Sequence, residues 1–154
     1  MNDQPVEQRR DDLVLSTDRD RIDIERVLAW LHASHWGTTM TRSQLERAIE
    51  HSLCVGVYRG AEQLGFLRAI TDLATYAYIT DVIVADEARG QGIGSWMVEA
   101  TLAHPDLQGL RRFALWTRDA PWLYQKFGFR QFGATPATAG TPGSTYMELR
   151  PGRR

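Results

Sequence analysis

The residues with the most distinctive chemistry are Arg89-Gly90-Gln91-Gly92-Ile93-Gly94. They follow an apolar, β-branched run (Ile79, Val82, Ile83, Val84) and precede Trp96, Met97, Ala100 and Leu102, which fall on one side of a helix. Strand, glycine-rich turn and helix in that order make an anion site. Glycine lets the backbone approach a ligand closely, and the first N–H groups of a helix have no internal acceptor. Arg89 adds a fixed positive charge suited to phosphate oxygens. A pyrophosphate held by Arg89 and the amides of Gln91 to Ser95 fits this arrangement. Asp81 is the second candidate, an acid inside the apolar strand, where a carboxylate must pair, hydrogen-bond or do work. Desolvation there would raise its pKa toward that of a useful general base, acting directly or through water. The alternative is a structural pair with an arginine such as Arg68, and both readings stay open because sequence does not fix strand register.

Glycine spacing narrows the ligand. Gly90, Gly92 and Gly94 give G-x-G-x-G, not the G-x-G-x-x-G of a dinucleotide-binding turn, and no Gly-Lys-Ser/Thr follows to make a P-loop. Arg-x-x-Gly-x-Gly after an apolar strand resembles the acetyl-CoA-binding signature of the GNAT acetyltransferase superfamily. A second stretch, Leu123-Tyr124-Gln125-Lys126-Phe127-Gly128-Phe129, is similar to that superfamily's late L-Y-x-K-x-G-F motif, one strand after the glycine-rich helix. The resemblance extends in outline from Leu13 to Leu149, the first third matching only in element order.

The resemblance implies an acetyl-CoA-dependent N-acetyltransferase that uses acetyl-CoA as cosubstrate and no metal. The strand before the glycine turn would splay from its neighbour, so that the backbone of Val82, Ile83 and Val84 bonds pantetheine and polarises the thioester. Tyr124 takes the position of the motif tyrosine near the sulfur. A phenol, with an ordinary pKa of ~10, is a proton donor for the departing thiolate. The competing role is a packing tyrosine. Asp81 would then help deprotonate the acceptor amine or only line its site. Thr117 departs from the pattern: it stands seven residues before Tyr124, where the family often has an asparagine that contacts the cofactor. Its hydroxyl can still donate one hydrogen bond. Trp30, Trp36 and Met40 fall where the resembled fold builds its acceptor wall, although core packing explains the tryptophans equally well. A non-catalytic acyl-CoA sensor on the same fold is the alternative function.

Composition sets the outer limits. A chain of 154 residues makes one domain with a real core. A net charge of −1 gives no reason to expect nucleic acid or an anionic membrane as partner. The expected partner is a small-molecule or peptide amine, with a homodimer left open. Cys54, the sole cysteine, reads as an inert core thiol, and His32, His35 and His51 lack the carboxylate or thiol that would complete a metal set. No apolar run reaches the ~20 residues of a membrane span, and Asn2 to Asp12 is polar, so a cytoplasmic location is expected.

The elements that must position these groups follow in order. Residues 1–12 show no periodicity and read as a flexible tail, with the domain running from 13 to 150. Leu13-Val14-Leu15 is a strand, and a helix capped by Asp18 or Asp20 carries Ile22, Ile24, Val27, Leu28 and Leu31. Thr41-Arg42-Ser43-Gln44 is a capping box. Leu53–Tyr58 and Gln63–Ile70 form a hairpin before the long strand Tyr76–Ala85. After the glycine-rich helix come strand Phe113–Thr117, a short helix Ala120–Phe127, and strands Phe129–Phe132 and Tyr146–Leu149. The order β-α-α-β-β-β-α-β-α-β-β is that of the resembled fold, an α/β arrangement with a mixed, largely antiparallel sheet and helices on both faces.

Overall fold

Leu53, Val55 and Val57 alternate with Cys54 and Tyr58 along one strand, so its two faces bury two different cores. The computed structural model describes residues 4–138 and 143–152. Within them the strands are β1 (Glu7–Arg10), β2 (Leu13–Ser16), β3 (Leu53–Arg59), β4 (Glu62–Thr71), β5 (Tyr76–Val84), β6 (Arg112–Thr117), β7 (Arg130–Thr135) and β8 (Ser144–Leu149). They form one sheet in the order β1-β2-β3-β4-β5-β6-β8-β7. Only β5 and β6 pair in parallel; the other neighbours are antiparallel. The helices are α1 (Ile24–Ala33), α2 (Arg42–Glu50), α3 (Ile93–Leu102) and α4 (Pro121–Gln125). None of the described helices is long and apolar enough to cross a membrane.

One core lies under α3, where Ile93, Trp96 and Met97 meet Leu53, Val55, Val57 and Leu67. The smaller core lies on the opposite face, where Val27 and Leu31 of α1 and Leu45 and Ile49 of α2 cover Cys54 and Phe66. Burial pushes the Cys54 thiol up to about 12, consistent with an inert core group. The helices start where short polar side chains take up free N–H groups. Asp23, rather than Asp18 or Asp20, caps α1 by accepting from Arg26 N–H, while Asp18 caps the single turn before it. Thr41 and Gln44 make the reciprocal capping box of α2.

The sequence reading of a tail through Asp12 is corrected. Glu7–Arg10 pairs with β2 as the edge of the sheet, and its side chains reach over α3. Trp96 Nε1–H donates to Gln8 Oε1 at 2.8 Å, and the Arg10 guanidinium sits 4.7 Å above the Trp96 ring. The strand is polar and exposed nearly throughout, so it carries no hydrophobic alternation to betray it. Residues 1–3 lie outside the described residues, as do 139–142 in the expected loop between the last two strands.

Close approach of α3 to the sheet depends on Gly65 of β4. A Cβ there would lie 3.0 Å from Ile93 Cγ2 and 3.1 Å from Met97 Sδ. Gly65→Val should therefore lift the helix and cost about 2 kcal/mol, an overpacking penalty read from the shift of the urea midpoint.

Candidate active site

Two motifs far apart in the chain meet at one end of the sheet. β5 runs into a single turn at Asp86–Ala88 and then the glycine-rich turn, whose Gly90 and Gly92 take φ values of 78° and 76°. Gly92 is the N-cap of α3 and offers no side chain to its free amides. A Cβ on either glycine would meet nothing within 4 Å, so the turn opens onto free space. α4 begins at Pro121, which suits a first helical turn, and Thr117 Oγ1 accepts from Ala120 N–H just before it. A Cβ on Gly94 would lie 3.8 Å from both Leu123 Cδ2 and Val84 Cγ2, which places the turn, the end of β5 and α4 side by side. Lys126 Nζ contacts Ser95 Oγ, bringing a second cation to the first turn of α3. Arg89 is exposed and pairs with Asp86 of its own turn at 3.1 Å. Gln91 is exposed, whereas the Ile93 side chain is buried in the core and leaves only its amide for a ligand.

The strands part beside this turn. β5 and β6 pair only at Tyr76–Arg112, Ala77–Phe113 and Tyr78–Ala114. Beyond that, β5 stays bonded to β4 as far as Val84, and β6 stays bonded to β8 as far as Thr117. The edges facing each other across the gap, Ile79–Val84 and Leu115–Thr117, therefore have backbone groups with no ladder partner across it. Val82 and Val84 pack toward one core and Ile83 toward the other, so side chains anchor the strand while its backbone edge stays open.

A bulge lies beyond the last shared rung, on the open stretch of β5. Between the pairs Arg68–Thr80 and Phe66–Ile83, β4 spends one residue and β5 spends two, Asp81 and Val82. Asp81 takes a φ of 54°, a conformation that aspartate tolerates better than most residues. Its carboxylate is almost fully buried and engaged at both oxygens. Oδ2 accepts from Arg68 Nε at 2.8 Å, and Oδ1 accepts from Trp36 Nε1 at 3.0 Å and Thr80 Oγ1 at 3.3 Å. Of the two sequence readings, the arginine pair is present in the structure. Arg68 also donates to Ser52 Oγ at 3.2 Å.

Tyr124 is buried on α4, its ring edge-on to Phe129 with centroids 5.9 Å apart. Burial pushes its phenol up to about 12, so it stays protonated throughout the neutral range. Trp36 and Met40 share an open cavity of about 340 Å³ with Gly37, Thr39, Gln44 and Ala48, between the loop after α1 and helix α2. Trp30 is not part of it; it packs between the two cores beneath Arg26, whose guanidinium lies 5.0 Å from the ring. His32 Nε2 lies 2.6 Å from Met40 O, and His35 is edge-on to Trp36, so both histidines serve this loop. Sequence reasoning missed Lys126 as a neighbour of the anion turn, although it stands within the quoted motif, and missed the Trp36–Asp81 bond, which no spacing could reveal.

A family model described as an acetyltransferase (GNAT) domain matches residues 50–131. A Gibberella zeae protein named "Putative acetyltransferase FG08082" is 31% identical over 145 residues, covering 79% of this chain and 81% of that protein. A crystal structure of a GNAT-family protein from Xanthomonas campestris pv. campestris is 43% identical with a TM-score of 0.75, over 77% of this chain and 84% of the other. An aminoglycoside 6′-N-acetyltransferase solved with coenzyme A superposes with a TM-score of 0.71 over 91% of this chain and 98% of its own; at 17% identity the likeness is one of fold.

Asp81→Asn keeps a side chain compatible with the positive φ but leaves the buried Arg68 charge without its counter-ion. Removing one partner of such a pair should lower stability by about 3 kcal/mol, measured as a fall in the urea midpoint at constant slope.

Proposed function

The chain belongs to the GNAT acetyltransferase family, and from that premise we propose that it transfers an acetyl group from acetyl-CoA to a primary amine by direct attack. The observation that carries this reading is the gap between β5 and β6, which opens beside the glycine turn where Val84 and Leu123 of α4 come close to Gly94. In the proposal, the amides from Gln91 to Ser95, with Arg89 and Lys126, hold the pyrophosphate at the α3 N-terminus. The unpaired edge at Val82, Ile83 and Val84 holds the pantetheine arm, and a backbone N–H there polarises the thioester carbonyl. Thr117 Oγ1 already accepts from Ala120 N–H, so its remaining contribution is the hydroxyl hydrogen.

The amine nitrogen attacks the carbonyl carbon, forming the C–N bond. The C–S bond breaks with its electron pair left on sulfur, and Tyr124 O–H supplies the proton the thiolate needs. The nitrogen loses its surplus proton to solvent. Asp81 is assigned a positioning role here, since Arg68, Trp36 and Thr80 already occupy its oxygens. It holds the bulge on the open edge of β5. The raised phenol pKa bears on the rate profile: Tyr124 adds no basic limb at ordinary assay pH, because it loses its proton only near 12.

Tyr124→Phe keeps the ring and its contact with Phe129 but removes the donor. The single-turnover rate should fall by roughly 100- to 10,000-fold, with acetyl-CoA affinity and folding little changed. A Phe variant that retains the wild-type single-turnover rate would make Tyr124 a packing residue. Gly92→Val places a β-branched residue at a φ of 76° with its side chain toward the open space of the turn. Acetyl-CoA should bind at least about tenfold more weakly by calorimetry, a loss of roughly 1.4 kcal/mol. Unchanged affinity in a folded variant would tell against the pyrophosphate site.

A further inference from the structure

The sheet face opposite α3 carries an aromatic surface that none of the described helices covers, at the mouth of the gap. Cross-strand pairing fixes which side chains share it. Phe66, Arg68 and Ile70 alternate along β4 on the face covered by α1 and α2. Ile70 pairs with Tyr78, Tyr78 with Ala114, and Ala114 with Glu148, which carries the same face across β5, β6 and β8. Tyr76, Trp116 and Tyr146 therefore lie on it too. α1 and α2 cover only the β3–β4 end. Trp116 remains 45% exposed and Tyr76 36% exposed, beyond what isolated surface aromatics need.

The surface flanks the place where the proposed chemistry occurs. Trp116 stands two residues past Ala114, the last rung of β6 with β5, and its ring lies 5.2 Å from that of Tyr146 at a tilt of 47°. Across the gap, Trp36, 49% exposed, is tethered to the bulge through its bond to Asp81 and also lines the cavity between its own loop and α2. Aromatic faces thus stand on both lips.

Among the described residues, the two carboxylates on this face are already paired. Asp81 is paired with Arg68 at 2.8 Å. Glu148 is bound by Arg150 at 2.8 Å and Arg112 at 3.3 Å, and accepts from Tyr146 O–H at 2.9 Å. Both carboxylates are nearly fully buried, and three arginines stand against two acids. A polycation needs free, accessible anions and would meet a surplus of positive charge here instead. Flat apolar rings, by contrast, offer stacking surface for a planar body.

We infer that the acceptor is a monoamine carried on an aryl body, stacked on Trp116 and Tyr146 with its amine directed into the gap, and that Trp116 is a specificity-determining residue. The inference rests on the transferase reading above and names its substrate class. The test measures thiol release from acetyl-CoA with 2-phenylethylamine, spermidine and kanamycin as acceptors, together with calorimetric binding of each amine and of acetyl-CoA to the intact protein. The expected result is a kcat/KM for 2-phenylethylamine at least about tenfold above the two polycations. Trp116→Ala should raise its KM about tenfold, Trp116→Phe should recover most of that loss, and the KM for acetyl-CoA should not move. Preference for spermidine or kanamycin would overturn the inference, as would an aryl-amine KM or affinity indifferent to Trp116→Ala, or no binding of 2-phenylethylamine at all. Absence of acetyl-CoA binding is a separate result and tells against the transferase reading itself.

Discussion

The buried pair of Arg68 and Asp81 is the interaction on which the rest of the site depends. Taking two charges out of water is expensive, and their mutual attraction in the interior rarely does more than offset that cost. Its contribution is therefore positional. The carboxylate accepts from Arg68 on β4, Trp36 on the loop after α1 and Thr80 on its own strand. Moving the bulge by one residue would send every following side chain of β5 to the wrong face and strand the arginine. The pair thus fixes the bulge in the open stretch of β5, how Val82 and Val84 reach one core while Ile83 reaches the other, and where the loop carrying Trp36 is tethered.

Much of the fold was legible because the core strands and helices carry strong periodic signals. The alternation along β3, the capping box at Thr41 and Gln44 and the proline at the start of α4 all appear where local chemistry places them. The signals fail where burial does not shape the sequence. β1 is a polar edge strand held by pairing with β2 and by contacts to Trp96, neither of which leaves a pattern in Glu7–Arg10. Asp23 displaced the expected cap of α1 because Asp18 already caps a separate turn, a division of labour that two nearby acids do not reveal.

The candidate site was readable in its motifs and hidden in its cross-connections. The glycine turn and the stretch around Tyr124 announce themselves by spacing, but their meeting through Leu123, Gly94, Lys126 and Ser95 belongs to tertiary structure. Register decided the role of Asp81, since only the pairing of β4 with β5 brings Arg68 to it. The aromatic face was half legible. Alternation with Phe113 and Leu115 puts Trp116 on the opposite side of β6, yet whether a helix covers that side is a matter of topology.

The short parallel seam between β5 and β6 divides the sheet into two plates. One holds β1 to β5 with α3 across it, and the other holds β6, β8 and β7. They share one backbone ladder of three rungs, while strands within each plate are bonded along nearly their whole length. The seam is thin in backbone hydrogen bonds but not in packing, since Phe113, Leu115 and Met147 of the second plate share the core under α3 with Ala77 and Ile79 of the first. A molecule lying along the gap and bonding both edges would act as a splint, adding to that shared core the backbone hydrogen bonds the seam lacks and slowing amide exchange on both sides at once.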